Sequence, residues 1–153
     1  MSSAVRIART DALLASDVCT ARSIWARFRG LMGRRALAPG EGLWLPTDAS
    51  IHMLFMRFAI DAVFLAPAED GSPASAAPLG EPGTTSQSSA RLISRARPAP
   101  TTWRVVAMRE GLRPWLGVVW FVRGARGCLE LEAGAATRAG LRVGDVVRFE
   151  PGA

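Results

Sequence analysis

Apolar and polar positions alternate most cleanly in "GCLELE", where Leu129 and Leu131 are interleaved with Glu130 and Glu132. A period of two marks a strand with one buried and one wet face, because successive side chains leave opposite sides of the pleat. Strand-like runs also occur at "TWRVVAM" from Thr102, "LGVVWFV" from Leu116 and "RVGDVVRFE" from Arg142. Earlier in the chain, the turn "PGEG" at Pro39 to Gly42 leads into a short strand at Leu43 to Leu45. "SIHMLFMRFAID", residues 50 to 61, supplies the next strand, "IDAVFLA" another, and a short one is expected near Ala12 to Ala15.

Helical spacing appears twice. In residues 20 to 33, Ile24, Trp25, Phe28, Leu31 and Met32 share one face, with Thr20 or Ser23 to cap the start and Gly33 to end it. "AGAATRAGL" reads as one helical turn of small residues closed by Gly140. About eight short strands with turn signals between them and one or two short helices predict a mainly β fold, a compact sandwich or barrel.

The pattern lapses between about 67 and 102. That stretch is rich in Pro, Ala, Gly and Ser, and its large apolar residues are few, chiefly Leu79, Leu92 and Ile93. It cannot bury enough surface to offset its ordering entropy, so it reads as a flexible insert within one domain spanning 1–153. The chain has 153 residues, 49% of them hydrophobic, enough to fill a single core without staples.

Charge and cysteine content narrow the function classes. The net charge is +6, carried by arginine without any lysine. The arginines are scattered from Arg6 to Arg148, and the tightest group, Arg22, Arg27, Arg29, Arg34 and Arg35, reads as a solvated helix face. A basic protein of this kind adheres weakly to anionic partners, but no specific nucleic-acid partner is expected. Arg6, Arg9, Asp11 and Asp17 interrupt the N-terminal region, so no export signal and no transmembrane segment are expected, and the default placement is cytoplasmic. Cys19 and Cys128 then read first as reduced packing residues, with a disulfide between them as the lesser alternative. Two cysteines and one histidine fall short of a zinc set, and neither a metal nor a cofactor is expected.

Several of these pieces occur in an order that resembles one family. "GLMGR" at Gly30 to Arg34, "PGEGLWL" at Pro39 to Leu45, "IHMLFMRFAIDAVFL" at Ile51 to Leu65, "CLELEAG" and "AGLRVGDVV" together resemble the uncharacterised family catalogued as domain of unknown function 192. The resemblance implies a compact, jelly-roll-like β fold with no established activity. This chain departs from the family pattern in the long insert after Leu65 and in Met53-Leu54, where many members have a bulkier aromatic step.

The chemistry worth testing lies in the segment from Ser50 to Asp61. If "HMLFM" and "DAVFL" form a hairpin, Met56 sits opposite Asp61 and His52 opposite Leu65, which separates His52 from Asp61 by roughly 13 Å. A direct His–Asp pair is then disfavoured. Arg57 and Asp61 either form an ion pair that pins the turn or leave the arginine to grip an anion. His52 is a core-edge residue, part of a ligand pocket, or a metal ligand; Met56 reads first as flexible core filler. The tryptophans read mostly as core, although Trp115, in "LRPWLG", suits an exposed binding rim. No nucleophile elbow, second histidine or phosphate-binding glycine motif is present. The expected function is a non-catalytic module that binds a small ligand or protein through His52, Met56, Arg57 and Asp61. The alternative is a lyase or hydrolase with His52 as acid or base and Arg57 as anion clamp.

Overall fold

Nine strands and one helix are formed by the residues described in the computed structural model: 2–21, 23, 31–32, 34–68 and 101–151. In chain order they are β1 (Ser2–Ile7), β2 (Leu13–Thr20), β3 (Glu41–Pro46), β4 (Ile51–His52), β5 (Ile60–Pro67), β6 (Thr102–Leu112), β7 (Val118–Val119), β8 (Gly127–Glu132), α1 (Ala135–Ala139) and β9 (Val146–Pro151). Seven strands close a barrel in the order β1-β2-β3-β8-β5-β6-β9, and β9 returns to β1. Among the described strands only β2 and β3 pair in parallel. β4 and β7 form a separate two-stranded ribbon. The expected mainly β architecture is therefore a closed barrel.

Alternation along β5 sorts the interior from the outer layer. Val63 and Leu65 join a core to which all seven barrel strands contribute, including Val5, Val18, Trp44, Val105, Leu129 and Val147. Successive side chains point to opposite faces, so Ala62 and Phe64 must face outward. They do so into a second apolar layer with Leu45, Met53, Met56 and Cys128. β5 is buried on both faces, which explains why "IDAVFL" reads as a continuous apolar run and not as an alternation. α1 contributes Ala136 to the barrel core and ends at Gly140, which adopts the left-handed conformation with φ 69°.

Several expectations change. β4 does not pair with β5; it pairs with β7, with Ile51 opposite Val119 and His52 opposite Val118. β5 instead lies between β6 and β8. The strand expected in "LGVVWFV" shrinks to Val118–Val119. The strand expected near Ala12 is longer, Leu13–Thr20, and is preceded by β1. Most of the helix expected over 20 to 33 lies outside the described residues; Thr20 ends β2, while Leu31 and Met32 lie in a turn. The insert, too, lies outside them apart from its two ends. It occupies the connection between directly paired strands, since Pro67 is opposite Trp103 in the β5–β6 ladder.

Three rings lock the barrel interior. The Trp44 ring lies 4.8 Å from that of Trp103 and 5.2 Å from that of Phe149, centroid to centroid. Its indole occupies the space over Gly127, where an added Cβ would overlap the ring carbons. Trp103 and Phe149 pack against the same ring, which leaves Trp44 little room to retreat. Gly127→Ala is therefore expected to lower stability by roughly 1–3 kcal/mol, the usual scale for forced overpacking. Urea unfolding measures it, and a change below about 0.5 kcal/mol would show that Trp44 can move aside.

Candidate functional site

Two segments without a single acidic residue, 49 to 58 and 113 to 126, run side by side on the outside of the barrel. The Met53 amide donates to the Gly117 carbonyl at 2.7 Å, and the Trp115 amide donates to the Met53 carbonyl at 2.9 Å. Further along, the Val122 amide donates to Ala49. Gly117 permits the close approach, because a Cβ there would lie 2.6 Å from Cγ of Met53. In an antiparallel pair, residues directly opposite share a face. Ile51 and Val119 are buried against the outer layer, while His52 and Val118 face solvent.

The ribbon carries a row of exposed apolar side chains. At one end the turn through Leu54 and Phe55 meets the turn through Trp115 and Leu116, with the Phe55 and Trp115 rings 5.1 Å apart. Both residues adopt left-handed backbone conformations, φ 63° and 65°. Non-glycine residues rarely do so, and each costs on the order of 1 kcal/mol. At the other end Trp120 and Phe121 are 82% and 75% exposed. Trp115 is thus exposed, as its proline-containing turn suggested, whereas Trp120 is a correction: it is not core. The run "VVWFV" concealed this, since periodicity cannot tell a buried run from one lying across the surface.

The expected site residues part company here. His52 lies on the exposed face of the ribbon, opposite Val118. Arg57 is exposed beyond the Leu54–Phe55 turn that follows β4. Met56 is buried in the outer layer beneath the ribbon. Asp61 is fully buried. One of its oxygens accepts from the Gly111 amide at 2.9 Å, the other from Gly134 at 2.9 Å and Ala136 at 3.1 Å. The expected Arg57–Asp61 ion pair does not form: the aspartate is held by backbone amides and caps the entry to α1 from a different strand. Thus His52 and Arg57 belong to the surface, Met56 and Asp61 to the frame beneath it.

The arginines divide in the same way. Arg6, Arg9, Arg34, Arg138 and Arg148 form ion pairs with Asp11, Asp145, Glu41, Glu132 and Asp11 respectively. Among the described residues, Arg57, Arg113, Arg123 and Arg126 on the ribbon segments enter none and are exposed, and the same holds for Arg35, Arg104, Arg109 and Arg142 elsewhere. Of the basic group expected on a helix face, Arg34 pairs with Glu41, while Arg22, Arg27 and Arg29 lie outside the described residues.

β8 corrects another expectation. Glu130 does not face water. It is only 7% exposed, flanked on β3 and β5 by Leu43 and Ala62. Its Oε2 has no hydrogen-bond partner among the described residues. Burial, aided by Asp48, pushes its carboxyl up to about 7. On the same face of β8, burial and then Glu130 push the Cys128 thiol well above its ordinary range. Cys128 and Cys19 are both free thiols.

The linkage has a definite sign. The folded-state pKa of Glu130 lies above the ordinary value of 4.5, so the folded protein retains a proton that the unfolded chain releases as pH rises. The resulting penalty is absent below that ordinary value, grows up to about pH 7 and is constant beyond, at on the order of 3 kcal/mol. Glu130→Gln should therefore gain stability over the parent at pH 8, and the gain should fade toward pH 4.5. Urea midpoints at both pH values test this; an equal difference at both would contradict the assignment.

Little else in the described residues suggests chemistry. They contain no cluster of three His, Cys, Asp or Glu side chains fit to hold a metal. A shallow cavity of about 240 Å³ between β2 and α1 is lined by Leu14, Ser16, Gly40, Ala135 and Arg138. Its arginine is already paired with Glu132. No described helix is long and apolar enough to cross a membrane.

Comparison with known proteins places this architecture. Two solved structures resemble it, each with a TM-score of 0.63. One, from Sinorhizobium meliloti 1021, is described as a candidate transcription regulator; it is 21% identical, and the alignment covers 97% of this chain and 94% of that one. The other is a protein of unknown function from Novosphingobium aromaticivorans DSM 12444, 19% identical, with 97% of this chain and 84% of that one covered. At such identities the likeness concerns the fold alone. No curated protein matches the chain. Residues 5–90 match the DUF192 family, described as "Uncharacterized ACR". The chain belongs to this uncharacterised family.

Proposed function

We propose that the protein is a non-catalytic binding module whose working surface is the exposed face of the β4–β7 ribbon. One observation carries the reading: Leu54, Phe55, Trp115, Leu116, Val118, Trp120 and Phe121 are all exposed on two adjoining segments. Isolated exposed apolar residues are ordinary, but seven gathered on two paired segments favour an interaction surface. The strained backbone at Phe55 and Trp115 supports it, since such conformations persist where a presented side chain is useful. His52 and Arg57 border the surface and supply its polar contacts. Met56 and Asp61 act indirectly, one by supporting the ribbon from below and the other by fixing the strand on which that layer rests. The free thiols agree with a cytoplasmic setting for this module.

The anionic apolar dye anilinonaphthalene sulfonate serves as a probe of the surface. The folded protein is expected to bind it, and Leu116→Ser/Trp120→Ser/Phe121→Ser to bind it at least about tenfold more weakly, because each side chain contributes on the order of 1 kcal/mol or more of apolar contact. The melting temperature should stay nearly constant, since all three residues are already exposed. Fluorescence titration beside thermal unfolding checks both. Dye binding unaffected by the triple substitution would refute the reading.

A further inference from the structure

We infer that the ribbon docks on an anionic lipid surface, its apolar side chains entering the interface while its arginines meet the headgroups. This names the partner class of the surface proposed above and rests on that reading.

Three observations select this partner. The first is charge. Segments 49 to 58 and 113 to 126 carry Arg57, Arg113, Arg123 and Arg126 and no acidic residue. Among the described residues none of these four arginines is ion-paired; elsewhere five arginines are, while Arg35, Arg104, Arg109 and Arg142 are not, so what sets the ribbon apart is four cations with no acidic residue among them. A surface of free cations around an apolar centre is complementary to a partner that is negative outside and apolar within. It is poorly suited to a second copy of the chain, because a two-fold pairing through this face would set like charges against each other.

The second is shape. Leu116, Trp120 and Phe121 are 77%, 82% and 75% exposed, so their side chains project from the ribbon and do not line a groove. Projecting apolar groups require a partner that yields around them. A bilayer interface does so without a preformed pocket, and the gain scales with the apolar area inserted plus the attraction to anionic headgroups.

The third is composition. The exposed set mixes aromatic Phe55, Trp115, Trp120 and Phe121 with aliphatic Leu54, Leu116 and Val118. Tryptophan favours the headgroup boundary, with an apolar body and one N–H donor, and leucine favours the acyl region. A stacking platform for nucleic-acid bases would gain little from the aliphatic members. Arginine extends its apolar stem along such a surface and keeps its charged head among phosphates.

The test is co-sedimentation of the full chain with phosphatidylcholine vesicles, with and without phosphatidylglycerol, at physiological salt. The expected result is partitioning onto the anionic vesicles at least about tenfold stronger than onto neutral ones, falling as salt rises. Trp120→Ser/Phe121→Ser should reduce it at least about tenfold, and Arg113→Gln/Arg123→Gln should weaken it and flatten its salt dependence. Equal binding to neutral vesicles, or anionic binding indifferent to the aromatic pair, overturns the inference. So does a single-stranded oligonucleotide that binds more tightly than the anionic vesicles at the same salt and loses that binding in Trp120→Ser/Phe121→Ser, which would make the partner a nucleic acid. If no vesicle binds while dye binding still depends on Leu116, Trp120 and Phe121, the lipid inference alone falls and the ribbon remains a binding surface for something else. If the dye also ignores those residues, the underlying reading falls with it.

Discussion

A buried carboxylate organises this molecule. Asp61 is fully buried and has no cationic partner among the described residues; it is held by the amides of Gly111, Gly134 and Ala136. Burying an aspartate is costly unless its oxygens are satisfied by hydrogen bonds, and removing it would leave three buried or half-buried donors, each worth on the order of 1–3 kcal/mol. The three amides belong to the end of β6 and to the turn that starts α1. One side chain therefore ties β5, β6 and the β8–α1 connection together at one end of the barrel. The family-like pair Ile60-Asp61 has its physical reason here, in the frame.

From that fixed strand the rest follows by alternation. Asp61, Val63 and Leu65 set the inward face of β5; Ile60, Ala62 and Phe64 set the outward one. The outward face needs a cover, and β4, β7 and their flanking turns provide it. The cover is buried below through Ile51, Met53, Met56 and Val119, and open above through Leu54, Phe55, Trp115, Trp120 and Phe121. A ribbon apolar on both faces leaves one of them uncovered. Glu130 lies in the layer beneath, a destabilising group when ionised, and no function is assigned to it.

Much of the frame was legible in the sequence. Short strands separated by Gly and Pro, the small-residue turn closed by Gly140 and the run "IDAVFLA" all carried local signals that the fold respects. The segment around His52 was legible as distinctive, and Trp115 as an exposed residue, because Pro114 interrupts its run. Partnership was not legible. The hairpin register assumed that neighbouring runs pair, whereas β4 finds β7 across more than sixty residues of sequence. Asp61 looked like the partner of Arg57 because a charge suggests an opposite charge; backbone amides leave no trace in composition. Glu130 looked solvated because alternation reports which residues share a face, and does not report whether a second layer covers it. Trp120 and Phe121 failed for the converse reason, that an apolar run implies burial only when something lies on it.

The central claim is that Asp61 holds the frame together and leaves the ribbon to act as a surface. Amide hydrogen exchange of Gly111, Gly134 and Ala136 tests it most directly, in the parent and in Asp61→Ala. The account predicts that in the parent the three amides exchange together and slowly, with an opening free energy close to that of global unfolding, and that all three lose this protection in the variant. Exchange of these amides at the rate of exposed loops in the parent, or protection that survives the loss of the carboxylate, would contradict it.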